Sequence, residues 1–236
     1  MAVEFRSNGV SPGAQTTTCV IVKPVGLSEG DLMIAHVFAR GECAMATPAS
    51  GFSIIREDHN ANVTKSWLYY KIADSDDVAA ASFTFTFTDS EYNLGAIAAF
   101  TGIDASNPIN ADNGASTGQT TTPTAPTITP SVADCMICLF CAGSALSTYS
   151  AYAIATANPG SWTEAYDFSE TIVAVTESLA MGYALRPETS ATGDGTATST
   201  LSQYWVAQLI AIAPAGEVLP SGQSAPLFAA LEMGIL

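Results

Sequence analysis

Three cysteines spaced Cys135-x-x-Cys138-x-x-Cys141 are the residues of this chain whose type and spacing come closest to chemistry, namely the capture of a soft metal. Zinc and iron–sulfur sites need thiolates that converge from a turn. Here the intervening residues are Met136, Ile137, Leu139 and Phe140, which read as a buried strand. On a strand, odd spacings alternate faces, so Cys135 and Cys141 point one way and Cys138 the other. The triplet is expected to pack, and no metal or cofactor site is expected.

The other reactive groups are sparse. There are two histidines. His36 lies in an apolar strand and is expected as a hydrogen-bonded core residue. His59 follows Asp58 between strand signals, which suggests part of a Ser–His–Asp system. No Gly-x-Ser-x-Gly elbow accompanies it, however. The acidic turns Asp74-Ser75-Asp76-Asp77 and Asp89-Ser90-Glu91 offer oxygens for calcium or a glycosidase pair, but the glycine and final glutamate of an EF-hand loop are missing. Solvated turns are the expectation. With no phosphate loop, dinucleotide fingerprint or zinc-protease helix, no catalytic residue is assigned and a non-enzyme is expected. Among the aromatic residues, Tyr149 and Tyr152 fall in a loose stretch and are the candidate glycan contacts, because an exposed ring stacks on a sugar face.

The elements that would position these residues are strands. Phe83-Thr84-Phe85-Thr86-Phe87-Thr88 alternates perfectly, with Phe on one face and Thr on the other, as in a half-buried antiparallel strand. Leu94–Phe100 reads as buried on both faces. Further strands are expected at 3–7, 16–23, 32–39, 52–56, 66–72, 135–142, 171–175, 178–185 and 204–213. Residues 104–130 read as a linker or extended edge segment, and 189–200 as a turn. No long amphipathic helix precedes residue 214. This pattern predicts an all-β chain.

Charge narrows the partners. Charged residues make up 12% of the 236 residues and the net charge is −15. Residues 1–71 hold six acids and six bases, so the whole imbalance lies after residue 71, where Arg186 is the one base. Such a surface repels phosphate backbones and anionic lipid, so neither nucleic acid nor membrane insertion is expected. No segment has the apolar length of a membrane span, the start lacks a secretory leader, and five cysteines read as thiols made in a reducing cytoplasm.

The two halves resemble each other. Asp31-Leu32-Met33-Ile34 and Asp134-Cys135-Met136-Ile137 open matching apolar runs 134 − 31 = 103 residues apart. Gly51-Phe52-Ser53 and Gly160-Ser161-Trp162 follow them. Each half closes on an apolar strand, with Ile97 and Ile210 210 − 97 = 113 residues apart. A decayed tandem duplication is expected. The first half is 1–110, the second 111–215, and 216–236 is a linker with an apolar arm. In that arm Leu227, Phe228, Leu231 and Ile235 form the expected docking set, with Leu227, Leu231 and Ile235 at i, i+4 and i+8. Eleven residues cannot hold a helix alone in water, so the arm gains burial only by docking.

The order of motifs carries a resemblance. A Thr-rich strand precedes Lys23-Pro24-Val25-Gly26-Leu27-Ser28-Glu29-Gly30-Asp31-Leu32-Met33-Ile34. Thr47-Pro48-Ala49-Ser50-Gly51-Phe52, Leu68-Tyr69-Tyr70-Lys71-Ile72-Ala73 and Ala98-Ala99-Phe100-Thr101-Gly102-Ile103-Asp104 follow. This resembles a β-sandwich module of bacteriophage tail, fibre and other virion proteins, with Gly51-Phe52 where that pattern has Gly-Trp. The resemblance spans roughly residues 2–214 and carries no catalytic residues. It implies a jelly roll or paired β-sandwich built from two related halves. It also implies a virion structural protein, made in the host cytoplasm, that serves as a head decoration (cement) protein or a tail or fibre component. The expected partners are capsid or tail subunits and further copies of the chain. The alternative is a carbohydrate-binding module that touches host surface glycans.

Overall fold

The computed structural model describes residues 1–60, 63–115, 118–156 and 159–216. The first half contains β1 (Glu4–Val10), β2 (Ala14–Val22), β3 (Leu32–Arg40), β4 (Met45–Thr47), β5 (Ser53–Asn60), β6 (Thr64–Ile72), a single-turn helix α1 (Ser75–Ala79) and β7 (Ser82–Thr101). The second contains β8 (Ile109–Ala115), β9 (Gln119–Thr120), β10 (Thr124–Ala125), β11 (Cys135–Gly143), β12 (Tyr149–Ile154), β13 (Thr163–Ile172), β14 (Val175–Arg186), β15 (Gly195–Ser199) and β16 (Gln203–Ile212).

Continuous apolar runs decide the layering. β11 is buried at every residue and β3 at every residue but Arg40, which requires packed layers on both faces. The first large sheet runs β1-β7-β3-β6-β5, and the second runs β8-β16-β11-β14-β13. The two are packed face to face over a shared core containing Ile34, Phe38, Phe100, Cys138, Phe140 and Ile210. Each carries a smaller sheet on its far side. In the first half β2 and β4 pair with the start of β7, whose later residues pair with β3, so one 20-residue strand serves both layers. In the second half the outer sheet is β10-β15-β12, and β15 and β16 divide the role of β7. The protein is thus an all-β, four-layer pair of sandwiches made of two halves with the same strand order.

Phe83, Phe85 and Phe87 point into the first half's own core while Thr84 and Thr88 are exposed, as their alternation demands. Cys135 and Cys141 enter the second half's core and Cys138 the shared one; all five cysteines are buried free thiols.

The duplication is visible in register and corrects the sequence offsets by one. Leu32 pairs with Phe100, and Met136 with Ile212. The equivalent residues are therefore 136 − 32 = 104 and 212 − 100 = 112 apart. Offsets of 103 and 113 preserve the pairing, because the two slips cancel across an antiparallel ladder. They reverse the faces, however: Ala35 lies in the first half's own core, whereas Cys138 lies in the shared core. Bulges repeat too. The register shift between Ile54 and Arg56 recurs between Glu164 and Tyr166, 164 − 54 = 110 residues on. The shift between Phe5 and Ser7 recurs between Ile109 and Ala111, 109 − 5 = 104 residues on. Bulges end or re-aim a ladder at a fixed place, so the two halves share ladder irregularities as well as strand order.

Three local readings are refined. Of the two readings of residues 104–130, the extended edge segment holds, since they contain β8, an edge strand paired with β16. The turn at 189–200 contains β15. The strand at 171–175 is a hairpin, with Val173 and Ala174 between the paired Ile172 and Val175. Among the described residues no helix is long and apolar enough to cross a membrane. The arm residues Leu227, Phe228, Leu231 and Ile235 lie outside the described residues.

Candidate interaction site

The shared core is crossed by one polar seam. The Tyr166 hydroxyl lies 3.1 Å from His36 Nδ1, and His36 Nε2 lies 3.0 Å from Ser66 Oγ. Ser66 Oγ donates to Gln208 Oε1 at 2.9 Å, and Gln208 Nε2 donates to Asp58 Oδ2 at 2.9 Å. Because the serine proton is committed to Gln208, the network assigns the imidazole proton to Nε2 and leaves Nδ1 to accept from Tyr166. Arg56 ends the seam, gripping Asp58 through Nε and Nη2 and reaching Asp112 of the other half at 2.7 Å. His36 and Ser66 are fully buried, so substrate cannot reach this serine–histidine pair. Burial also pushes the imidazole down to about 3, which keeps it neutral at physiological pH. The seam fits a role in aligning the two sheets.

The candidate glycan tyrosines lie on strand β12, not in a loop, and differ in exposure. Tyr149 is buried, its hydroxyl held by Ser178 Oγ and Gln203 Nε2 at 3.0 Å each. It presents no ring to solvent. Tyr152 is half-buried and stacks on Trp162, with ring centroids 6.2 Å apart. Tyr152 Oη, Trp162 Nε1 and Asp167 Oδ1 are buried without partners among the described residues. Burial raises the Asp167 carboxyl to about 6.

The acidic turn 74–77 is occupied. Asp74 and Asp77 form the reciprocal cap of α1, and both pair with Lys71. Among the described residues no cluster of His, Cys, Asp and Glu has the makings of a metal site. His59 lies on β5, opposite Lys65.

A surface cleft of about 920 Å3 opens at the end of the molecule where the described chain finishes. Its walls are pinned by backbone bonds. Ile103 bridges Pro214, Asp104 N–H donates to Ala213 O, and Ala215 N–H donates to Gly102 O. The amino terminus donates to Ala215 O at 3.3 Å, and Gly160 N–H to Leu185 O at 2.7 Å. Asn110 and Ser131 exchange two bonds across one side. The cleft continues through Gly160 and Leu185 into a shallower depression of about 470 Å3 bounded by Phe5 and Tyr183. Exposed Met1, Val132 and Leu185 line the main cleft, with Pro159, Pro187 and Gly216. It is a preformed trough in which Asp104, Asn107 and Asp134 share the walls with these apolar residues. Sequence reading missed it, because its residues come from six separate stretches and are individually ordinary. Comparison with known protein families, curated proteins and solved structures found no match to this chain.

Proposed function

We propose that the chain is a non-enzymatic structural protein of a bacteriophage particle. It is displayed on the head as a decoration protein or on the tail or fibre, and it assembles as an oligomer. The observation that carries this reading is the fusion of two equivalent sandwiches through their large sheets. It spends the polar residues of the centre on alignment and builds a rigid block, with its trough placed at the chain's exit. The order of motifs that resembles the phage virion module supports the same reading, as does the apolar segment Leu227–Ile235 beyond that exit. An acidic, Thr-rich exterior suits attachment to a basic protein surface. The test is co-assembly: the purified protein is mixed with capsid or tail subunits of the phage that encodes it, and co-sedimentation is scored. Saturable incorporation supports the proposal, and a protein found only in the soluble fraction contradicts it.

The second reading is glycan contact. It rests on the stack of the half-buried rings of Tyr152 and Trp162. Titration against a glycan array separates the two, because a purely structural subunit shows no saturable sugar binding.

A further inference from the structure

We propose that Asn113 is a site of self-modification, at which the Gly114 nitrogen closes on the Asn113 carboxamide and converts it, through a cyclic imide, to aspartate and isoaspartate. The chain's other Asn-Gly step, Asn8-Gly9, is held out of this reaction. The inference goes beyond the assembly reading and does not depend on it.

An Asn-Gly step is the pair of residues on which this chemistry meets least resistance. The attacking nitrogen belongs to the second residue, and a glycine there has no Cβ to obstruct the ring and the widest choice of backbone angles. The fold adds proximity. Gly114 N–H donates to Asn113 Oδ1 at 3.0 Å, so the nitrogen already lies beside the carbon it must attack. Asn113 Nδ2 donates to the Thr127 carbonyl at 3.0 Å, which fixes the carboxamide in that orientation. β8 is the edge strand of its sheet and Asn113 is half-buried, so water reaches the site.

Asn8 and Asn113 lie on equivalent strands but on opposite faces. Asn8 sits opposite Ala98 and Asp112 opposite Ile210. Ala98 and Ile210 keep the offset of Phe100 and Ile212, 210 − 98 = 112, so the equivalent of Asn8 is Asp112 and Asn113 lies one residue further. A one-residue step turns a side chain to the other face of its strand. Asn8 accordingly points across to the other half, where its Nδ2 donates to Ala165 O at 2.8 Å. Gly9 is buried and packed against the Val22 carbonyl, which clamps the peptide that would have to move.

The reaction balances with water alone. Gly114 N gives up its proton to hydroxide and forms a bond to Asn113 Cγ. The Cγ–Nδ2 bond breaks, and ammonia leaves with a proton from water. Water then opens the imide at either carbonyl. One opening gives aspartate on the original backbone, and the other gives isoaspartate, whose backbone runs through the side chain. Either product adds a negative charge to a chain of net −15 and, as a carboxylate, has no donor for the Thr127 carbonyl. Isoaspartate also lengthens the strand by one atom between Asp112, which holds Arg56 of the other half, and Gly114, which sits opposite Gln208. The modification therefore loosens β8 where the halves are tied.

The experiment incubates full-length protein at mildly alkaline pH, folded and in urea, and follows it over time. Digestion before aspartate separates residues 1–30, which hold Asn8, from 112–133, which hold Asn113. Mass spectrometry scores the exchange of NH2 for OH in each, and enzymatic carboxyl methylation scores isoaspartate. The proposal expects the ratio of conversion at Asn113 to conversion at Asn8 to be at least about tenfold higher in the folded protein than in urea. A ratio short of that overturns it, as does a folded Asn113 that stays intact while the denatured one converts. Isoelectric focusing of Asn113→Gln, whose longer side chain does not close this imide, gives a second readout. The substitution keeps the carboxamide at a half-buried site, and circular dichroism confirms that the variant folds. The acidic species that accumulate in the wild type should be absent from the variant. Their persistence at the wild-type rate overturns Asn113 as the site.

Discussion

His36 and Phe140 occupy equivalent positions of the two halves, 140 − 36 = 104 residues apart, and meet edge to face in the shared core with ring centroids 5.3 Å apart. The internal two-fold relationship passes between them. The same symmetry brings Asn8 of β1 to the Ala165 carbonyl of β13, and Arg56 of β5 to Asp112 of β8, where 112 − 8 = 104. Where one half has the polar His36 the other has the apolar Phe140, so the duplicated sheets have diverged at this pair.

Replacing His36 by Leu keeps volume but strands the Tyr166 hydroxyl and the Ser66 donor–acceptor pair. A loss of about 2–4 kcal/mol is expected, read by urea unfolding. The pH dependence changes as well. The folded imidazole titrates near 3 against 6.5 in a free chain, so the unfolded state binds more protons between those values. Wild-type stability should therefore receive a falling contribution as pH drops from 6.5 to 3, and His36→Leu should lack it.

Glu177 gives the opposite slope. Its side chain is buried, with Oε1 held by Arg40 at 3.1 Å and Oε2 without a partner among the described residues. Desolvation raises it to about 8 from 4.5, against the pull of Arg40. The folded state then holds more protons between 4.5 and 8, so stability falls as pH rises through that window. The loss should approach about 1.4 kcal/mol per unit near the middle of that window and fall to about half of that at pH 8. Glu177→Gln should flatten it in denaturation curves taken across that range.

Val173 sits in the two-residue β13–β14 turn with φ +62° and 79% exposure. A β-branched residue there is strained and has little packing to lose. Val173→Asn should stabilise by about 1 kcal/mol, a rise of roughly 2–4 °C in melting temperature.

Gly95 pairs with Val37, and its counterpart in the second half, 207 − 95 = 112 residues on, is Ala207, paired with Cys141. A Cβ at Gly95 would lie 2.6 Å from Ile21 Cδ1 and 2.7 Å from Cys19 Sγ. The residue natural to one half is therefore excluded from the other by a closer outer sheet. Gly95→Ala should cost about 1–3 kcal/mol by calorimetry.

Fold class was legible because period-2 patterning at Phe83–Thr88 and the apolar runs around Ile34 and Leu139 admit few other readings. Register was not. Met33 and Met136 match in local motif, yet Met136 is the partner in position of Leu32. Strands buried on both faces carry no polar alternation to betray a one-residue slip. The polar seam was hidden for a different reason. Tyr166, His36, Ser66, Gln208 and Asp58 come from five strands, and only the stacking of the two large sheets brings them into line. Tyr149 looked like a loop aromatic because Ser, Thr and Ala surround it. It lies on β12, paired with β15, and its hydroxyl reaches inward to Ser178 of β14.

The most direct test of an assembly role is the solution mass of the full-length protein by light scattering, with and without residues 217–236. The account predicts an oligomer that falls to monomer on truncation. A monomer of 24.3 kDa in the full-length form would contradict it.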